Sequence, residues 1–296
     1  MRRDTNQPIG YLFIAPAVIL FAVFVVIPIF VSLYWSFTQY DVLHPPKWVG
    51  LENFRILLTS DPRFWKALCN TVLYVLGVVP TGLSISLLLA VALEELTRGK
   101  QLFKILYFLP TVTSIIAISV IWKWLFAGEK FGLINYLLIK LGIEPIQWLL
   151  SPTWTLPAIM IMSIWAGLGY NVVLFSAGLS TIPQVLYEAA KVDGAGWWTR
   201  FWHVTLPMLK PTLAFVVAMS VISSFQVFDQ VYIMTSGTGE SVGGVLDSAL
   251  TLVAYLYDQG FQRFQMGYAS AIAYLIFGCV LGLTLVNIRL LRARAD

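Results

Sequence analysis

Residues 181–211 read Thr181-Ile-Pro-Gln-Val-Leu-Tyr-Glu-Ala-Ala190-Lys-Val-Asp-Gly194-Ala-Gly-Trp-Trp-Thr-Arg200-Phe-Trp-His-Val-Thr-Leu-Pro207-Met-Leu-Lys210-Pro211. This polar stretch separates two long apolar runs, and its reading decides the fold. Glu188, Lys191, Asp193 and Arg200 would each cost about 2.5–3.5 kcal/mol at a bilayer centre, on the order of 10 kcal/mol together. The stretch therefore stays outside the lipid. Its residues also suit regular structure. Thr181 can cap a helix N-terminus, and Pro183 is harmless in a first turn. Val185 to Val192 is helix-compatible, and Gly194 and Gly196 then break it. A second helix, rich in Trp and Phe, can run from Trp197 to Val204. Pro207 and Pro211 are expected to end it before the chain re-enters the membrane. The expected product is a helix–turn–helix on the cytoplasmic face, with Ala189 and Ala190 small enough to admit a close neighbour.

Outward from this stretch the chain is apolar. Hydrophobic residues make up 58% and charged residues 11%, where soluble domains have roughly 45–50% and 25%. This composition predicts an all-α, polytopic membrane protein. Six runs are expected to span, over 10–37, 70–93, 105–127, 154–179, 212–234 and 264–288. Each supplies the roughly 20 apolar residues that cross about 30 Å of hydrocarbon. With the loop 181–211 they form a single transmembrane domain over 1–296. The first run is too long for a signal-peptide core and reads as a retained span. Arg2, Arg3, Arg98, Lys100, Lys104, Arg289, Arg292 and Arg294 flank the expected inner ends, placing both termini in the cytoplasm. The net charge of +4 belongs to these flanks and does not point to nucleic acid. Cys69 and Cys279 form neither a disulfide framework nor a metal site. Leu133 to Leu141 reads as an amphipathic helix on the outer surface.

No G-x-x-x-x-G-K-[ST] sequence occurs. Gly237-Thr-Gly239 and Gly243-Gly244 read as turns in an outer loop that also carries Glu240, Asp247 and Asp258. The chain is therefore expected to hydrolyse no ATP and to hold no cofactor. His44 and His203 join no triad or metal set. Polar residues within spans carry more information, because lipid makes them costly unless they face a cavity or a partner. The fifth run holds Ser220, Ser223, Ser224, Gln226, Asp229 and Gln230. Spacings of three and four place 223, 226 and 230 on one helix face. Amides and carboxylates suit sugar hydroxyls. Asn171 beside Tyr170, and Tyr268 with Ser270, are further candidates. The same residues could serve as helix–helix glue. For the serines that reading is preferred; for Gln226, Asp229 and Gln230 both stay open.

Glu188-Ala189-Ala190, three residues, Gly194, nine residues, then Val204-x-Leu206-Pro207 resembles the EAA loop of ABC importer permeases, with Val204 at the usual Ile. Phe228-Asp229, Met234-Thr235, Tyr255-x-Tyr257 and Gly267-Tyr-Ala-Ser-Ala271 resemble the fifth and sixth spans of carbohydrate-importer permeases. Gly237-Thr-Gly239 departs from that family's Gly-Gly-Pro. The short phrases Gly50-Leu-Glu-Asn-Phe54 and Asn70-Thr71 fit the same family, and a simple turn and helix start explain them equally well. The resemblance implies a maltose-type permease of a bacterial or archaeal plasma membrane. It implies a second permease subunit, usually a paralogue, and an ATP-binding cassette ATPase dimer that holds ATP and Mg. It also implies an extracytoplasmic solute-binding protein. Glu188, Ala189, Ala190, Asp193 and Gly194 would then belong to ATPase coupling, with Trp197, Trp198 and Trp202 anchoring the hairpin. Asn171, Gln226, Asp229, Gln230 and Tyr268 would lie on the substrate path. Import of a phosphorylated polyol would want a cation facing the path, and none stands mid-span. An intramembrane enzyme would want paired Asp or a His-rich metal motif, and a scaffold or sensor would want a signalling domain. None of these is visible.

Overall fold

The computed structural model describes residues 7–96, 98–128, 131–237 and 242–292. The expectations placed on Arg2, Arg3, Gly239, Glu240 and Arg294 lie outside the described residues. The fold is almost entirely helical, with one two-residue antiparallel ribbon pairing Thr38 with Trp48 and Gln39 with Lys47. Among the described residues, four helices are long and apolar enough to cross a membrane: Tyr11–Ser36, Pro62–Glu95, Thr155–Ser180 and Met266–Asn287. Two bent pairs raise the number to six if each pair counts as one span. The contacts divide the chain into two units, one formed by Met1–Asp61 with Leu256–Phe277, the other by Pro62–Tyr255 with Gly278–Asp296.

The first unit begins with a helix that buries none of its apolar window, 0%. Phe13 is 81% exposed and Phe24 72%. A surface of this kind is stable only against lipid or another protein. The helix widens into a π-turn at Ala22–Val26, where the Ile27 N–H reaches back to Ala22 O. Pro28 follows at once. Its ring would clash with the carbonyl four residues back, and the wide turn makes room for it. Beyond the helix, buried Asn53 donates to Ser36 O and Thr38 O, both at 2.9 Å, and fixes the short ribbon. His44 donates to Asp41 through its backbone N–H and pairs with it through its ring, at 2.9 and 2.8 Å. Those hydrogen bonds hold the Asp41 carboxyl below its usual pKa.

In the second unit the Pro62–Glu95 helix lies along Thr155–Ser180. It begins at Pro62 rather than Asn70, because proline is well placed in a first turn. Val75, Val79, Leu83, Leu87, Val172, Phe175 and Leu179 form the seam of the core. Lys100–Val112 also packs against Thr155–Ser180. The approach is closest at Gly169, where an added Cβ would lie 2.0 Å from Tyr107 O and 2.8 Å from Thr111 Oγ1. Only glycine tolerates that contact.

The third and fifth runs are not single straight helices. Lys100–Val112 stops after Pro110, and the chain turns by 96° into Ile115–Leu125. The fifth run is a helix over Lys210–Phe225, a break, and a second short helix over Asp229–Thr235. The shared face expected for 223, 226 and 230 is therefore interrupted. The pieces beyond the two breaks, Ile115–Leu125 and Asp229–Thr235, pack on each other. Lys123 closes that contact, donating to Ile233 O at 3.1 Å and to Ser236 O. Irregular backbone at membrane depth is tolerated where protein or a water-filled cavity covers it.

The loop that follows Asp229–Thr235 is tied down where the backbone is strained. Leu246 and Asp247 adopt φ of 53° and 56°. Arg63 grips Asp247 with two hydrogen bonds of 2.8 Å. Asn70 donates to Asp247 O at 2.9 Å and to Leu250 O at 3.0 Å.

Candidate functional site: a neutral polar cavity and an exposed hairpin

A cavity of about 470 Å³ lies in the second unit where both helix breaks converge. Thr111, Thr113 and Ile115 come from the break in the third run. Ser220, Ser223, Ser224 and Gln230 come from the two sides of the break in the fifth. Tyr74, Ser163, Tyr170 and Asn171 project from the two long helices that form the scaffold. The Gln230 amide reaches the Tyr74 hydroxyl at 3.4 Å. Thr111 Oγ1 is buried and has no hydrogen-bond partner in the protein. Most of the lining is apolar; its polar groups are hydroxyls and amides, and among the described residues no Asp, Glu, Lys, Arg or His contributes to it. Such a surface can exchange hydrogen bonds with a neutral polyhydroxylated solute in both directions, while it offers no compensation to a desolvated charge.

Of the residues singled out in the sequence, the structure brings Asn171 and Gln230 together here. Gln226 and Asp229 are exposed, outside the lining, at the break itself. Tyr268 belongs to the first unit, where its hydroxyl donates to Asp61 Oδ2 at 2.5 Å. Tyr74, Thr111 and Ser163 are lining residues that the sequence reading passed over. A hydroxyl inside an apolar run was the available signal, and it looks the same at a helix contact.

The hairpin at 181–211 departs in detail from its expected form. Thr181 does not cap the next helix; its hydroxyl donates to Gly178 O at 2.7 Å and closes the preceding one. Pro183 takes the N-cap position in an extended conformation, and the helix runs Gln184–Val192. Its end follows the Schellman pattern. Gly194 adopts φ of 78°, its N–H bonds Lys191 O at 3.0 Å, and the Ala195 N–H bonds Ala190 O at 2.9 Å. The Trp-rich helix does not end before Pro207. It continues through a π-turn at Phe201–Thr205 to Met208, then bends by 70° into Lys210–Phe225. Proline is accommodated at the start of each following piece, where a missing N–H costs nothing. His203 Nδ1 lies 3.0 Å from Thr199 O, a local contact within the helix.

The hairpin holds its shape from within. Trp197 stacks on Phe201 at 5.6 Å and 5°, and the Tyr187 and Thr205 hydroxyls meet at 3.0 Å. Its outer face is bare. Glu188, Ala189, Asp193 and Gly194 are exposed and Ala190 is half-buried. Val185 and Val192, 63% and 88% exposed, continue the stripe of Glu188 and Ala189 along one side. An exposed apolar stripe with a carboxylate in it is suited to docking.

Together these features define an all-α, polytopic membrane protein with an uncharged cavity that carries hydroxyl and amide groups, and an exposed hairpin. The family described as "Binding-protein-dependent transport system inner membrane component" matches residues 70–292, and the chain belongs to it. It is 40% identical to the lactose transport system permease protein LacF of Rhizobium radiobacter, over 90% of this chain and 88% of that one. It is 35% identical to the arabinooligosaccharides transport system permease protein AraP of Bacillus subtilis, over 95% and 87%. The trehalose/maltose transport system permease protein MalF of Thermococcus litoralis is 32% identical, over 97% and 95%. In fold, the chain matches a crystal structure of a bacterial ABC transporter that imports the acidic polysaccharide alginate. The TM-score is 0.86 at 23% identity, covering 98% of this chain and 97% of that one.

Proposed function

We propose that this chain is a permease subunit of an ATP-driven ABC importer and forms part of the path for a neutral sugar or oligosaccharide. The observation that carries the solute class is the uncharged hydroxyl and amide lining of the cavity. The relatives named for lactose, arabinooligosaccharides, trehalose and maltose support the same class. A polyol phosphate is disfavoured because no lining residue is a cation. The chain itself performs no catalysis in this reading. A second permease, an ATPase dimer holding ATP and Mg, and an extracytoplasmic binding protein complete the importer. The related alginate transporter has been seen in complex with a periplasmic protein carrying an alginate pentasaccharide. The 181–211 hairpin faces the cytoplasm with both termini, and Glu188, Ala189, Ala190, Asp193 and Gly194 form its docking surface for the ATPase. Motion of the ATPases then moves the hairpin as a lever, because the Tyr187–Thr205 hydrogen bond ties its two helices together.

The test is uptake of a panel of radiolabelled neutral oligosaccharides by the intact transporter. Gln230→Ala and Asn171→Ala should each lower kcat/KM for the transported sugar by roughly tenfold, the equivalent of one or two lost hydrogen bonds. Uptake of a polyol phosphate in preference to every neutral sugar would contradict the assignment.

A further inference from the structure

A second cavity, of about 280 Å³, lies where the inner ends of two spans meet the hairpin. Val91, Glu94 and Glu95 close it from one long helix, and Leu179 and Ser180 from the other. Gln184, Tyr187, Lys191, Trp197 and Arg200 complete it from the hairpin. Its charges are unevenly paired. Glu94 is neutralised by Lys104 at 3.1 Å. The Arg200 Nε is buried and has no hydrogen-bond partner. Among the described residues, no ion pair engages Lys191 or Glu95. A buried charged donor left unmade costs on the order of 1–3 kcal/mol or more, so the arrangement is suited to a ligand that completes it.

The depth of the cavity identifies where that ligand comes from. Thr155–Ser180 has 26 residues, and at 1.5 Å per residue it is about 39 Å long. That exceeds the roughly 30 Å hydrocarbon core and brings its end among the headgroups. Trp198 and Trp202, 62% and 56% exposed, stand on the same hairpin, and Trp is enriched at this level of a membrane.

We propose that this cavity is a binding site for the headgroup of a zwitterionic phospholipid carrying a primary ammonium, of the phosphatidylethanolamine class. The phosphate is held by Arg200 and Lys191, since guanidinium forks match phosphate oxygens. The ammonium donates to Glu95. A choline headgroup has no N–H to give, and a glycerol headgroup has no cation. Because the site joins the ends of two spans to the hairpin, an occupied site steadies the hairpin against the spans. The binding claim stands whether or not the transport reading does, since its test measures lipid and not uptake.

The experiment is native mass spectrometry of the purified full chain, released from nanodiscs containing phosphatidylethanolamine, phosphatidylglycerol and phosphatidylcholine in equal amounts. The wild type should retain phosphatidylethanolamine about tenfold over either competitor, as expected for charge-assisted hydrogen bonds. Arg200→Ala should lower retention of all three lipids about tenfold, because the phosphate it holds is common to them, and Arg200→Lys should keep part of it. Glu95→Gln, an exposed substitution that leaves the fold intact, should move the preference toward phosphatidylglycerol. Equal retention of the three lipids by the wild type, undiminished lipid retention in Arg200→Ala, or an unchanged preference in Glu95→Gln would overturn the proposal. Displacement of bound phosphatidylethanolamine by an equal concentration of soluble glycerophosphoethanolamine would overturn the lipid assignment in favour of a free ligand.

Discussion

Gly169→Leu should abolish transport and lower the melting temperature of the purified chain. A Cβ at this position would lie 2.0 Å from Tyr107 O, and a backbone carbonyl cannot rotate away as a side chain can. The Lys100–Val112 helix must then move off its partner. Thr111 moves with it, and Thr111 lines the cavity. Overpacking a core commonly costs about 1–3 kcal/mol, and a clash with backbone lies at the upper end of that range. Uptake should fall by more than tenfold, because the same displacement damages the solute path. Gly169→Ala should show the same effects to a smaller degree. Uptake and melting curves at the wild-type level in Gly169→Ala would show that the close helix crossing does not matter.

The second large effect is expected at Glu188, with the opposite signature. Glu188 is exposed on the Gln184–Val192 helix, and no described residue forms an ion pair with it. Surface substitutions of this type usually change stability by less than about 0.5 kcal/mol. Glu188→Lys should therefore leave the melting curve and the amount of chain in the membrane unchanged. Reversed charge within a docked interface costs several kcal/mol, so uptake should fall by at least about tenfold. Unaltered uptake would remove Glu188 from the docking surface. The pairing of the two variants separates a fold defect from a coupling defect, since only the first should move the melting temperature.

These two sites were not equally legible in the sequence. The Glu188 stripe could be read directly, because charges between apolar runs are costly in lipid and Gly194 marks a helix end. The Schellman closure at Gly194 is a local hydrogen-bond pattern, and local patterns are what a sequence displays. Gly169 could not be singled out. Its importance comes from Tyr107, which lies far away along the chain and becomes a neighbour only through helix packing. The same limit explains the helix breaks. Pro110 permits a break, but the 96° turn after it depends on packing between Ile115–Leu125 and Asp229–Thr235. Once the fifth run is broken before Asp229, the helical spacing of 223, 226 and 230 loses its meaning. Gln230 remains at the cavity, and Gln226 does not. The Tyr268 hydroxyl meets Asp61, a long-range pairing that spacing along the chain does not display. Tyr74 went unnoticed for the converse reason: an aromatic residue in an apolar run looks like packing until Gln230 is seen beside it.

The central claim is that this chain couples a sugar path to a separate ATPase through the 181–211 hairpin. The most direct measurement is a cross-linking pull-down from the native membrane, with a photoreactive side chain placed at Ala189 and the complex purified in mild detergent. The account predicts a covalent adduct between position 189 and an ATP-binding cassette subunit, together with a co-purifying second six-span permease. Recovery of the chain with no adduct to any ATPase, under several gentle conditions, would contradict it.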